Sequence, residues 1–305
     1  MGSQGGRIGN VLSVWESSKY KGSAILFAEA AMNRDSYYSH VRGVYDRIAP
    51  AYDEVVGLSA VSQRAKQLAL QIIKEVTPNG GRLLDIGCYT GIEALLLAQQ
   101  GYHVLGIDLS NEMILKAEQK AKRYRVGDRA RFCAMPAADV GQLQSDRDSP
   151  FDTAYSVYGT LNLEPELRRF KEGLVPLLRE GAPFVCGLLN PTVLYELVLG
   201  PLFGKFHGYR KLRKEHVVTK VGLGTETVET FLFSTADFAR IMAPEFRLER
   251  NFGVHVLYPP PRHRQGRGFW WVARGLDRVE RRVQSRFPFR ELGFFSLLVF
   301  QRSVR

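Results

Sequence analysis

Two carboxylates and a glycine turn carry the first readable chemistry. Leu83-Leu84-Asp85-Ile86 is a short apolar run ending at Gly87, and Cys88-Tyr89-Thr90-Gly91 leads it into an apolar helical pattern, Ile92 to Gln100. A strand that enters a glycine-bearing turn and then a helix lets a ligand lie against backbone, because glycine adds no side chain and tolerates left-handed angles. Such a turn serves dinucleotides when it reads G-x-G-x-x-G, with the pyrophosphate on the helix N-terminus. Here the third position is Tyr89, and Asp85 on the strand end suits an ammonium group rather than a pyrophosphate. The ligand expected is a cationic amino acid. Seventeen residues past Gly91, Gly106-Ile107-Asp108-Leu109-Ser110 closes a second apolar run. A carboxylate there, at the sheet edge beside the first turn, can accept both hydroxyls of a ribose.

Positioning these groups requires alternating strands and helices. Short aliphatic runs at Arg82 to Ile86, His103 to Ile107, Ala130 to Cys133, Phe151 to Val157 and Pro183 to Leu189, joined by four helical stretches, predict βαβ units and a mostly parallel sheet. Beyond Asn190-Pro191 an apolar stretch through Phe206 precedes the basic cluster Arg210, Lys211, Arg213 and Lys214, which reads as an insertion. Val217 to Val221 and Thr227 to Phe233 flank Gly222 and Gly224 as a hairpin, and Ser234 with Asp237 opens a short helix. The sheet resumes at Phe246 to Tyr258; a helix follows from Phe269 to Arg286, and Phe294 to Phe300 is the last strand. The division expected is an N-terminal arm (1–40), a ligand-binding core (41–190), an inserted lid and hairpin (191–245), and strands plus a basic helix completing the core (246–305).

A chain of 305 residues, 45% hydrophobic, can bury a full core. Cys88, Cys133 and Cys186 show no metal-ligand spacing, no apolar run approaches bilayer length, and a cytoplasmic protein is expected. The net charge of +11 is concentrated at the end, where eleven arginines from Arg262 to Arg305 face only Asp277, Glu280 and Glu291. In the helix from Phe269, Val272, Leu276, Val279 and Val283 form an apolar stripe opposite Arg274, Arg278, Arg281 and Arg282. A charged face opposite a core stripe is usually a solvated one, although it leaves contact with an anionic lipid surface open.

Tyr45-Asp46-Arg47-Ile48-Ala49-Pro50-Ala51-Tyr52-Asp53, then DIGCYTG, GIDLS, FDTAYSVYGTLN and LLREGAPFV, resemble the ordered motifs of class I S-adenosylmethionine-dependent methyltransferases, over roughly residues 41 to 190. The resemblance implies a Rossmann-like α/β fold: a seven-stranded, mostly parallel sheet with helices on both faces and the last strand antiparallel. It implies S-adenosylmethionine as cofactor, with Asp85, Gly87, Cys88 and Gly91 around its methionine part, Asp108 on the ribose, and Leu109 and Met113 beside the adenine. It places Ala137, Ala138 and Asp139 near the adenine ring, Ser156 to Gly159 as the floor beneath the sulfonium, and Tyr45 and Tyr52 on a lid helix. Two departures stand out: Tyr89 occupies the place of a second glycine, so that the loop angles differ or the ring closes over the cofactor, and Met135-Pro136 replaces the usual Gly-Asp pair.

Methyl transfer is an in-line displacement, so alignment in a dry pocket supplies much of the acceleration. Where the acceptor is an oxygen or an acidic carbon a base helps; of His207, His216 and His255, the candidate is His255, near the end of an expected strand, against the competing role of a structurally bonded side chain. Ser156-Val157-Tyr158-Gly159 lacks the Asn/Asp-Pro-Pro-aromatic arrangement of amide-nitrogen methylation, and no Asp-Asn pair is placed for magnesium. A metal-independent enzyme of secondary metabolism acting on a small hydrophobic or lipid-like acceptor is expected, with O-methylation slightly ahead of C-methylation. The rivals are an RNA-directed enzyme using the arginine-rich end, disfavoured because basic and aromatic residues do not interleave there, and a catalytically silent scaffold.

Overall fold

The computed structural model describes residues 33–57, 60–202, 216–221, 226–257 and 269–304. Helices α1 (Arg34–Ile48), α2 (Tyr52–Gly57) and α3 (Ala60–Val76) lead into β1 (Arg82–Ile86), α4 (Ile92–Gln99), β2 (His103–Asp108), α5 (Asn111–Arg123) and β3 (Ala130–Ala134). Then come β4 (Thr153–Ser156), α6 (Leu167–Leu174), β5 (Pro183–Leu189), α7 (Leu194–Leu202), β6 (His216–Val221), β7 (Glu226–Phe231), α8 (Thr235–Met242), β8 (Phe246–Val254), α9 (Phe269–Val283) and β9 (Phe295–Arg302). The main sheet runs β3-β2-β1-β4-β5-β9-β8, and β6 with β7 forms a separate antiparallel pair. Strands β1 to β5 are parallel, while β9 is antiparallel to both of its neighbours. This is the seven-stranded, Rossmann-like arrangement expected.

The inner strands are apolar on both sides because helices cover both faces of the sheet. Alternation along each strand sends Leu84, Ile86, Leu105 and Ile107 into one core with Phe170 of α6 and Phe238 of α8. Leu83, Val104, Tyr155 and Val185 enter the other, against Ala69 and Ile73 of α3 and Leu97 of α4. Phe184 stands at the centre of the first core, its ring 6.0 Å from that of Phe170, 5.9 Å from Phe246 and 6.3 Å from Phe300. Phe184→Ala is expected to cost about 3–5 kcal/mol, read as a lower urea midpoint with an unchanged slope.

Several expectations on the elements are corrected. The link between β3 and β4 is a 3-10 helix, Ala137–Ser145, and not an α-helix. It packs so closely on α6 that a β-carbon at Gly141 would lie 3.1 Å from the Gly173 Cα. Strand β4 is shorter than expected, since Phe151 makes only an isolated bridge to Leu178. Strand β8 stops at Val254 because His255 takes φ +59°, outside extended geometry; Tyr258 lies outside the described residues. In α9 the stripe is rotated: Val279 is 46% exposed, whereas Glu280 is fully buried. The Glu280 carboxylate accepts the N–H groups of Val256 and Leu257 at 3.2 and 3.0 Å, satisfying backbone that the end of β8 would leave unpaired. Arg278, Arg281 and Arg282 are exposed as expected, and so is Arg286 just beyond the helix. The basic cluster 210–214 and the side chains of Trp270, Trp271, Val272 and Arg274 lie outside the described residues. No described helix is long and apolar enough to cross a membrane.

Candidate active site

The glycine turn is pinned across the end of β2. Gly87 and Cys88 both donate N–H to the Ile107 carbonyl, at 2.8 and 2.9 Å. Gly87 holds φ +75°, and a β-carbon there would overlap the Thr160 side chain, so both angle and space demand glycine. Asp108 is fixed by its neighbours: Tyr89 N–H reaches Oδ2 and Ser110 N–H reaches Oδ1, each at 2.9 Å. At 7% exposure, burial pushes the Asp108 carboxyl up to about 6, against the pull of these N–H donors.

A lid of tyrosines covers the turn. On α1, Tyr38, Val41 and Tyr45 fall at helical spacing and all line one cavity, together with Gly87, Tyr89 and Asp108. Asp46 holds the helix down by accepting the Ser110 hydroxyl at 2.5 Å and the Glu112 N–H at 3.2 Å, at the first turn of α5. Arg34 pairs with Asp139 at 2.6 Å and Glu166 at 2.7 Å, and Arg47 with Glu226 of the hairpin at 2.8 Å. Tyr89 sits at φ +50° with its ring stacked on Tyr52, centroids 5.0 Å apart, and tilted toward Tyr45 at 5.9 Å. The Thr160 hydroxyl donates to the Tyr89 oxygen at 3.4 Å, and burial pushes that phenol up to about 12.

The lining continues past the end of β3 through Leu109, Met135, Pro136 and Ala137 to Leu163 and Glu164. Glu164 Oε1 accepts the Tyr38 hydroxyl at 2.5 Å and the Glu166 N–H at 2.9 Å, while Oε2 accepts the Ala138 N–H at 3.0 Å. Burial raises this carboxyl from 4.5 to about 7 in spite of its donors. Because the folded pKa is the higher one, the folded chain holds the proton more tightly. Stability is therefore expected to fall, by about 3 kcal/mol, as pH rises from about 4.5 to about 7. Urea unfolding at pH 5 and pH 7.5 checks this, and Glu164→Gln should flatten that part of the dependence.

Of the residues singled out in the sequence, Tyr45, Gly87, Asp108, Leu109 and Ala137 come together on the cavity wall. Tyr52 meets it indirectly, through the Tyr89 ring. Asp85 does not line it: it lies behind the turn, accepting the Tyr155 hydroxyl at 3.0 Å, and burial beside Glu93 holds it well above the usual carboxylate range. Cys88, Met113, Ala138 and Ser156 are buried behind the wall, and Gly91 opens α4 against Phe132. His255 is not brought to the cavity. It is fully buried beyond the end of β8, four places from β1 in the sheet. His207 and the His216 side chain lie outside the described residues. Sequence reasoning missed Tyr38, Val41, Thr160, Leu163 and Glu164. The helical spacing of Tyr38, Val41 and Tyr45 was a usable signal; nothing local marks Glu164.

A family model described as a methyltransferase domain matches residues 83–181, the segment holding both the glycine turn and Asp108. The chain is 27% identical to a demethylmenaquinone methyltransferase of Lactiplantibacillus plantarum, over 73% of this chain and 95% of that one. Among solved structures it resembles the [4+2]-cyclase SpnF (TM-score 0.58, 17% identity, 88% of this chain and 97% of that one). It also resembles the Burkholderia thailandensis 1,6-didemethyltoxoflavin-N1-methyltransferase (TM-score 0.53, 15% identity, 90% and 92%). The two structural likenesses bear on the fold alone, and a cyclase beside a methyltransferase illustrates that fold does not set the reaction. Strand order, glycine turn and matched segment agree, and residues 83–181 carry a methyltransferase domain on a Rossmann-like sheet.

Proposed function

We propose that this enzyme methylates a small hydrophobic acceptor, with a quinol-type aromatic carbon as the first choice. The observation that carries the reading is the lidded cavity at the ends of β1 and β2, where a backbone turn, the Asp108 carboxylate and apolar walls meet. Relatives named as quinone methyltransferases, one of them a ubiquinone/menaquinone biosynthesis C-methyltransferase of Geotalea daltonii, support a quinone-type acceptor and carbon over oxygen.

The residues fit the cofactor. When bound, S-adenosylmethionine supplies a methyl group on a sulfonium, open to in-line attack. Asp108 would accept the ribose hydroxyls, and its two N–H donors already aim the carboxylate. Gly87 would allow close approach to backbone, and Leu109 with Ala137 would flank the base. Asp85 lies under the turn, where a nearby ammonium would favour its charged form. Tyr38, Val41 and Tyr45 would exclude water, so that orientation does most of the work. His255 has no part in this reading, since it stands outside the cavity wall. The exposed arginines of α9 and Phe287, 76% exposed, support contact with an anionic membrane surface from which a lipid-like acceptor is drawn.

Calorimetric titration with S-adenosylmethionine, followed by methyl-label transfer to a demethylated naphthoquinol, tests the proposal. Micromolar binding and a labelled C-methyl product are expected. Absence of cofactor binding would overturn it, and binding with transfer to oxygen alone would correct the acceptor atom.

A further inference from the structure

Glu164 is a buried carboxylate on the cavity wall to which the mechanism above gives no role. It is 4% exposed and shares the cavity lining with Val41, Met135, Pro136, Ala137 and Leu163, as well as with Asp108 and the tyrosines of the lid. A carboxylate has about four acceptor sites. Tyr38 and Glu166 occupy two on Oε1, and Ala138 one on Oε2, which leaves capacity on Oε2.

Its place along the cavity is set by two constraints. The 3-10 turn Thr160–Leu163 starts at the residue lying over Gly87. At about 2 Å rise per residue, that turn carries the chain roughly 8 Å to Glu164. The bond to Ala138 then holds the carboxylate at the β3 end, away from the glycine turn. Asp108 lies at the intervening end of β2, so the cavity lining holds two buried carboxylates among mostly apolar residues. An adenosine has two groups of donors with a similar arrangement: the ribose diol, and the exocyclic amine at the far edge of a flat, apolar-faced base.

We propose that Glu164 accepts the exocyclic amino group of the cofactor's adenine and is the residue that selects for it. The inference rests on the cofactor reading above and assigns a side chain to the base edge. Glu164 also anchors the lid through Tyr38, and a purely structural role would make the same contacts with protein but would be blind to the amine.

Titration of the whole protein with S-adenosylhomocysteine and with its 6-deamino purine analogue separates the two. At pH 8.5, where a carboxyl of pKa about 7 is charged, the wild type is expected to prefer the amino compound by about 10- to 100-fold, the loss expected when a buried charged acceptor is left unpaired. Glu164→Ala should bring the two affinities within about threefold of each other. Glu164→Gln, which keeps the shape but offers a neutral acceptor, should lower the preference at least about threefold and serves where the alanine variant does not fold. Tyr38→Phe, which loosens the lid, should weaken both ligands and leave the ratio at the wild-type value. Equal wild-type affinities, or a ratio unchanged in both Glu164 variants, would overturn this inference while leaving the cofactor reading intact. A wild type that binds neither ligand would overturn both.

Discussion

Asp108→Ala is expected to weaken S-adenosylmethionine binding by about 100- to 1,000-fold, measured by calorimetry. A carboxylate accepting two hydroxyls makes two charge-assisted hydrogen bonds, and each contributes about 1.5–3 kcal/mol when water is excluded. Asp108 is 7% exposed and held by two backbone N–H donors, so both conditions hold and no side-chain reorganisation is needed on binding. The same carboxyl gives the wild type a pH signature. With its pKa raised to about 6, affinity should fall about tenfold per unit below that pH, because protonation removes the charge that accepts the hydroxyls. The alanine variant should lose this slope. An Asp108→Ala protein that melts as the wild type does and binds with unchanged affinity would remove Asp108 from the site.

Gly87→Ala should abolish detectable cofactor binding and lower stability by about 1–2 kcal/mol. The left-handed angle at Gly87, φ +75°, is strained for any residue with a β-carbon. The added atom would overlap Thr160, and Thr160 cannot retreat freely because its hydroxyl engages the Val157 carbonyl at 3.2 Å as well as Tyr89. The damage is therefore transmitted to the Tyr89 ring, which Tyr45 and Tyr52 hold in place. A double variant adding Thr160→Ala should recover part of the lost stability, since the two positions share one contact. Thermal unfolding of the two single variants and the pair measures that coupling. Additive losses would mean that the turn and Thr160 do not press on one another.

The glycine turn and Asp108 were legible because the information is local. A strand, a tight turn and a helix follow one another without interruption, and the residues from Arg82 to Gln99 specify all three. The strands β1 and β5 were found over their full length for a related reason: covered on both faces, they are nearly all apolar, and their ends are marked by glycine or by Asn190-Pro191. Short-range patterning also marked the hairpin, and β6 and β7 pair with each other apart from the seven-stranded sheet.

What failed did so where a distant partner sets the outcome. Val279 reads as core by helical period, yet the N–H groups of Val256 and Leu257 draw the Glu280 carboxylate inward and leave Val279 exposed. His255 reads as a strand-end base, but its left-handed backbone and full burial take it away from the cavity. Glu164 carries no local mark at all; its partner Tyr38 is 126 residues away in the chain.

The amino-acid sequence by itself therefore determined the Rossmann-like sheet, the turn and the carboxylate at the end of β2, since each depends on apolar periodicity or on backbone angles within a few neighbouring residues. Only the tertiary structure decided which side chains wall the cavity and how the tyrosine lid closes over it. Those outcomes depend on packing and on the satisfaction of buried polar groups between segments that meet only after the chain has folded.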